Sequence, residues 1–369
     1  GPATLFYGSG AIGGVVNVVD DRIPTDNETK LEWLLQNSTV SNENQASISA
    51  QTGTDNIAFH VDAFWRDSDD YKIAGEAELE DDHDEDHEDH EAHEEHDEHE
   101  EHDEDGKLAN SASRSRGFTV GSSYLLDNGF IGASYGFMTR QYGVPGHHHH
   151  EDEEHEEGEH EEEEDIRIDL KQKRYDGQLH LHDVMPGVID VARAFFTYTD
   201  YEHVELEGAE VGTLFERETW EGRLELVREA EDHSVVGLQW RSDEFEATGE
   251  EAYIPKTESS EWGLFYLQDF HFEDWQFEAG ARVDWVDRDP DARLADQEDF
   301  TSFSVSGAAI HSFDSAWSLG LALSSSERAP STEELFSNID NAGESLVTHA
   351  ATGVIEVGDA SLDKESSLN

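Results

Sequence analysis

Cysteine is absent from the 369 residues. That excludes disulfide scaffolds, thiolate metal sites and cysteine nucleophiles, and it leaves the compartment open, because a cysteine-free chain suits cytosol and envelope alike. Also missing is any run of about 18 apolar residues, so no transmembrane helix is expected. A barrel strand needs only about 9–11 residues of alternating character, so hydropathy leaves that architecture open. Basic residues are scarce: 23 Lys and Arg stand against 88 Asp and Glu, a formal net charge of −65. A nucleic-acid binder needs basic surface to displace phosphate counterions and is excluded, whereas cationic partners are favoured. No secretory leader is visible. The chain opens on Gly1-Pro2 inside what reads as structured sequence and stops at Leu368-Asn369, and we read it as truncated at both ends. Its length suits two ordinary domains or one large barrel.

What the chain has instead is acid and histidine, gathered in two tracts. Segment 76–105 holds 20 acidic residues and seven histidines, namely His83, His87, His90, His93, His96, His99 and His102. Segment 147–165 holds 12 acidic residues and six histidines, namely His147, His148, His149, His150, His155 and His160. Neither composition can bury a core, so both are expected to be solvated.

Outside the tracts the dominant period is two, the signature of strands. Over 275–285, Trp275, Phe277, Ala279, Ala281, Val283 and Trp285 take one face, while Gln276, Glu278, Gly280, Arg282 and Asp284 take the other. A soluble sandwich alternates too. The flanking tryptophans add a length: tilted by about 45°, such a strand spans about 23 Å, close to the apolar band between the aromatic girdles of a membrane barrel. Small residues opposite the apolar ones, as at 316–323, suit a wide lumen. About thirteen strands are expected, near 29–36, 45–51, 56–66, 116–126, 130–140, 166–182, 188–200, 212–230, 233–244, 260–272, 275–287, 301–312 and 316–326.

The connections carry further information. Tight turns at 127–129, 231–232, 273–274 and 313–315 alternate with longer links at 141–165, 201–211, 245–259, 288–300 and 327–345. In an up-and-down barrel every second connection lies at the same end. Bacterial outer-membrane barrels keep periplasmic turns short and external loops long. Both tracts fall in the long set, within external loops 67–115 and 141–165, and are therefore expected to share a rim.

Gly8-Ser9-Gly10-Ala11-Ile12-Gly13 formally matches the dinucleotide fingerprint, which requires a helix to begin there. The β-branched run Val15-Val16-Asn17-Val18-Val19 favours a strand instead. The whole stretch from Gly1 to Val19 closely resembles the closing segment of the plug in TonB-dependent outer-membrane receptors. A second resemblance lies downstream, in Glu327-Arg328-Ala329-Pro330-Ser331-Thr332-Glu333-Glu334-Leu335-Phe336 and in Gly358 to Asn369. The resemblance implies an all-β, transmembrane, antiparallel up-and-down barrel of about 22 strands, of which about 13–14 fall here. Residues 1–24 would then be the C-terminal end of the plug, and 25–369 a partial barrel. It also implies a bacterial outer-membrane location, contact with outer-membrane lipid and coupling to the TonB complex. Tyr142-Gly143-Val144-Pro145-Gly146 followed by His147 to His150, and the strands over 173–201, look like the zinc receptors of the ZnuD type.

Neutral imidazole and carboxylate ligate zinc, and imidazole also serves nickel and copper. Between 87 and 102 histidine recurs every third residue, which keeps several donors within reach of one ion. With four ligands per site, or three plus water, the thirteen tract histidines would hold roughly three or four ions. Such sites exchange readily, because ordering a loop costs conformational entropy. A solvated acidic loop with spectator histidines is the bland alternative. Zinc over nickel or copper rests on the resemblance, since copper wins at equilibrium. The other histidines are scattered, with His203 and His349 near expected external loops. No nucleophile–base constellation, phosphate loop or zinc-protease helix is present, so no enzyme is expected. The main rival is a receptor of the same fold for a ferric siderophore, haem or cobalamin, with the His-rich loops incidental.

Overall fold

The computed structural model describes residues 2–8, 15–75, 106–145, 166–208, 210–229, 232–249, 252–313, 317–341, 345–348 and 354–369. Its strands are β1 (Lys30–Ser38), β2 (Glu43–Gly53), β3 (Ile57–Ser68), β4 (Tyr71–Lys72), β5 (Lys107–Leu108), β6 (Ser113–Leu126), β7 (Gly129–Gly143) and β8 (Ile166–Met185). They continue with β9 (Ile189–Glu207), β10 (Glu210–Glu229), β11 (His233–Gly249), β12 (Thr257–Phe272), β13 (Trp275–Pro290), β14 (Glu298–Ser312), β15 (Ser318–Arg328) and β16 (Glu365–Leu368). Fourteen of these form one sheet, in the order β1-β2-β3-β6 and onward to β16, while β4 and β5 pair separately. Every neighbour in the large sheet is antiparallel. No helix among the described residues is long and apolar enough to cross a membrane, which says nothing of strands.

Each of the thirteen expected strands is present, and β16 joins them by pairing Leu368 with Ser325 and Glu365 with Arg328. The differences lie at the ends. The expected long link at 201–211 shrinks to 208–209, because β9 and β10 continue pairing up to Glu207 and Glu210. Asp200 and Glu202 interrupt the apolar face there, and Val204 and Leu206 resume it. Elsewhere the meander keeps its asymmetry. The connections 54–56, 127–128, 186–188, 230–232, 273–274 and 313–317 lie at one end, and 69–112, 144–165, 250–256, 291–297 and 329–364 at the other, together with the short 39–42.

Alternation gives the sheet two chemically distinct faces. Trp240 opposes Trp262, and Trp262 opposes Trp285. These join Phe59, Val61, Tyr175, Trp220, Leu238, Leu264, Phe303 and Leu321 on a face whose large apolar side chains are exposed. The opposite face carries Ser302, Ser304, Ser306, Arg282 and Asp284, all buried. An apolar exterior around a polar interior is the distribution of a membrane barrel.

The N-terminal segment lies against that polar interior at two places. Pro2–Tyr7 forms a 3-10 turn from which Leu5 packs on Phe265 and Leu267. Gly280 makes the fit possible, since a Cβ there would meet Leu5 Cδ1 at 2.7 Å. Farther on, Arg22 bonds Asp176 at 3.0 Å and Ile23 is buried. Here Gly121 provides the space, because its Cβ would stand 1.8 Å from the Arg22 carbonyl oxygen.

At the long-loop rim, three links fold into one platform. Helix α1 (Thr332–Phe336) starts with a capping box, in which Ser331 and Glu334 satisfy each other's backbone N–H groups, and it buries Leu335 and Phe336. Next to it Asn338 adopts φ 53°, a left-handed conformation that asparagine tolerates. Its amide donates to the carbonyls of Val347 (2.9 Å) and Glu356 (2.8 Å) and accepts from the Val347 N–H at 2.9 Å. Its backbone N–H donates to the Tyr253 carbonyl of the 250–256 link at 2.6 Å. Burial there pushes the Tyr253 hydroxyl up to about 12. From the 291–297 link, the backbone N–H groups of Arg293 and Leu294 donate to Asp340 at 2.8 and 3.0 Å.

Asn338→Ala strands buried backbone groups and should loosen the platform by about 2–3 kcal/mol. Limited proteolysis would show new cleavage within 339–364 while the barrel stays resistant; an unchanged digestion pattern would refute the hub role. The Arg328 guanidinium holds Glu334 below the usual carboxylate range. The contribution of Glu334 should therefore be complete above that range and be lost only as pH falls through its lowered value.

Candidate functional site

The thirteen tract histidines, His83, His87, His90, His93, His96, His99, His102, His147, His148, His149, His150, His155 and His160, lie outside the described residues. Their roots do not. The first tract leaves and returns through β4 and β5, where the Ile73 N–H donates to the Gly106 carbonyl at 3.0 Å. Below this neck, Asp70 Oδ1 accepts from the backbone N–H groups of Ser111 and Ala112, both at 2.8 Å. The second tract leaves β7 and enters β8 beside a hydrogen bond from the Val144 N–H to the Ile166 carbonyl, 3.0 Å long.

One side chain joins the two roots. Asn110, at φ 54°, donates its amide to the carbonyls of Val144 (3.1 Å) and Ile166 (2.8 Å). Gly143 leaves it room, since a Cβ there would meet Asn110 Oδ1 at 1.9 Å. The acidic, histidine-bearing segments therefore spring from adjacent, hydrogen-bonded stems. Nothing in the sequence around Asn110 signals this; the signal is only that a residue in a left-handed turn is often asparagine.

Behind the rim, the lumen wall carries arginine–acid pairs two residues apart on one strand. Arg174 with Asp176 on β8 lies at 2.9 Å, Arg223 with Glu225 on β10 at 2.6 Å, Arg241 with Asp243 on β11 at 3.1 Å, and Arg282 with Asp284 on β13 at 2.6 Å. Period two puts both members on one face, so the pairing is written in the local sequence. Arg282 also donates to the Leu5 carbonyl at 3.2 Å, and Arg223 lies 5.1 Å above the Phe6 ring. Between the N-terminal segment and the rim platform is a cavity of about 300 Å³ bordered by Tyr7, Arg241, Arg282, Arg288, Arg328 and Ser331.

Among the described residues, no three histidine, aspartate or glutamate side chains are grouped to hold a metal ion. His203 stacks on Phe215 with ring centroids 4.4 Å apart, and its buried Nδ1 has no hydrogen-bond partner. His349 lies outside the described residues.

A meander of this size, apolar outside and charged inside, defines an outer-membrane β-barrel. The family described as TonB dependent receptor-like, beta-barrel, matches residues 110–369, and the chain belongs to it. Its members are transport receptors of the bacterial outer membrane, not enzymes. Solved structures agree on the fold. The siderophore receptor PirA from Pseudomonas aeruginosa matches with a TM-score of 0.64 at 14% identity, covering 100% of this chain and 56% of that one. The copper transporter OprC matches with a TM-score of 0.62 at 15% identity, covering 84% and 47%. The FrpB iron transporter from Neisseria meningitidis matches with a TM-score of 0.60 at 11% identity, covering 81% and 46%. The chain thus spans about half the length of these receptors.

Two outcomes are expected at this site. Asn110→Ala should uncouple the roots, costing about 1–3 kcal/mol locally for the carbonyls left without a donor. Hydrogen exchange at Val144 and Ile166 would rise, whereas equal protection in both proteins would remove Asn110 from its role. Arg282→Met should destabilise the barrel by about 3–5 kcal/mol by leaving Asp284 buried and unpaired, and adding Asp284→Leu should restore most of that loss. Thermal unfolding in detergent reads both, and a double variant no better than the single would contradict the pairing argument.

Proposed function

We propose that the protein is a TonB-dependent receptor that gathers a divalent transition metal, zinc first, on its external loops and passes it inward. The observation that carries this reading is the joining of the two stems through Asn110, from which tracts with thirteen histidines and 32 acids depart. Acid concentrates cations at the rim. Imidazole then favours transition ions over calcium, which prefers oxygen alone. Residues 1–24 act in this reading as the closing end of a plug, with 25–369 as barrel and loops 67–115 and 141–165 as the collecting surface. Zinc is preferred over nickel and copper by the likeness of Tyr142 to His150 to the zinc receptors. TonB-driven movement of the plug would release the ion.

A second reading has its own support. The inner cavity, bordered by Arg241, Arg282, Arg288 and Arg328 as well as Glu221, Glu261 and Asp284, offers polar contacts of both signs to a chelate such as a ferric siderophore. The solved neighbours named for copper, iron and siderophore transport span both possibilities.

Zinc titration of the receptor in detergent, with and without 76–105 and 147–165, separates the two. Removing the tracts should lower the stoichiometry by roughly three or four ions per chain. Binding to the intact protein should weaken as pH falls through about 6.5, because ligation requires neutral imidazole. Unchanged stoichiometry, with retained uptake of a ferric chelate, would favour the second reading.

A further inference from the structure

Far from the tracts, β8 carries His180-Leu181-His182 close to the 186–188 turn. Strand alternation places both histidines on the face of Asp176, which meets Arg22 of the N-terminal segment inside the lumen, while Leu181 takes the other face. The two rings lie with centroids 4.6 Å apart and planes inclined by 31°. Phe130 packs on His180 at 5.8 Å and fixes that ring. His180 Nε2 is buried and has no hydrogen-bond partner. An orphaned buried nitrogen costs about 1–3 kcal/mol, a cost that a bound ion would cancel.

From this geometry we propose that His180 and His182 form a two-imidazole station for a divalent transition ion at the short-turn mouth of the lumen. The proposal rests on the metal-receptor reading above for the nature of the cargo. Imidazole nitrogens lie about 2.0–2.1 Å from such an ion, so rings packed this closely reach one centre from adjacent same-face positions. Arg193 faces His180 as well, 3.5 Å from a Glu225 that Arg223 holds at 2.6 Å, and Glu229 and Glu225 oppose its charge there. No third protein donor completes the site among the described residues, so water or a carrier fills the remaining positions. Two ligands make a weak, open site. That suits an exit, where the ion arrives from a richer donor set and must leave again. Short turns face the periplasm in barrels of this kind, which puts the station on the delivery side.

The absence of cysteine allows a local readout. Val188→Cys, at an exposed position in the adjacent turn, takes a single fluorophore on the full chain, and Cu²⁺ alone serves as a contact-range quencher. The tracts depart from the far end of β8, about 50 Å along the strand, outside that range. Quenching should saturate in the parent, and its midpoint should rise about tenfold or more in His180→Ala and in His182→Ala. Because His182 is exposed, His182→Asn gives the same test without disturbing the packing on Phe130. Deleting 76–105 and 147–165 should leave the midpoint where it was, even if it also leaves the rim stoichiometry unchanged, in which case only the loop-capture reading fails. Equal quenching in the parent and both alanine variants would overturn the station, as would quenching that disappears with the tracts.

Discussion

Everything in this structure depends on the inability of hydrocarbon to hydrogen-bond a peptide group. A strand in lipid must find all its backbone partners in its neighbours, which forces an unbroken antiparallel ladder. Once the ladder exists, alternation assigns each side chain to lipid or lumen. The tryptophan row Trp240, Trp262 and Trp285 follows from that rule, and so does the serine row Ser302, Ser304 and Ser306 on the other side. The lumen in turn must neutralise its own charges. It does so along single strands, with arginine and acid two residues apart, and across neighbouring strands, as in Arg217 with Asp243 and Arg193 with Glu225.

The same rule explains which parts were legible in the sequence. The run 275–285 states its strand, its faces and its length outright, and the structure extends it only to Pro290. Around Tyr201 to Glu207 the apolar series of Phe196 and Tyr198 is interrupted at Asp200 and Glu202 and resumes at Val204 and Leu206, opposite His203, Glu205 and Glu207, while backbone pairing continues throughout. The stem junction was illegible for a different reason. Asn110 acts through its backbone conformation and a space left by Gly143, 33 positions away, and no local pattern encodes such a contact. The arginine–acid spacing was legible in principle, yet among 88 acids it is lost in the general negative charge.

Two kinds of ligand chemistry are thus kept apart along the barrel axis. Under the metal-receptor reading the two tracts supply acid and imidazole, whereas the wall beneath presents arginines already committed to partners. Arg282 is bound to Asp284 and to the Leu5 carbonyl, and Arg223 lies against Phe6 and pairs with Glu225. The wall therefore does double service, balancing its own charge while holding the N-terminal segment in place. Any rearrangement of that segment must break these contacts together, since Leu5, Phe6 and both arginines share one patch around Phe265.

Such an arrangement favours passage over storage. Under the metal-receptor reading, a cation drawn to the rim would meet, farther in, Asp176, Glu225, Asp243 and Asp284, each held by an arginine and so a weaker ligand. Donors without partners then matter more than the total of acids. On the described lumen face, His180 with its orphaned Nε2 is such a donor, and it lies at the end opposite the tracts. Under the metal-receptor reading, passage from a strongly attractive entrance to a weakly ligating exit runs uphill for the ion and must be driven by displacement of the segment lying across it. The tracts account for 32 of the 65 net negative charges, and under the same reading selectivity falls to the imidazoles rather than to the acids.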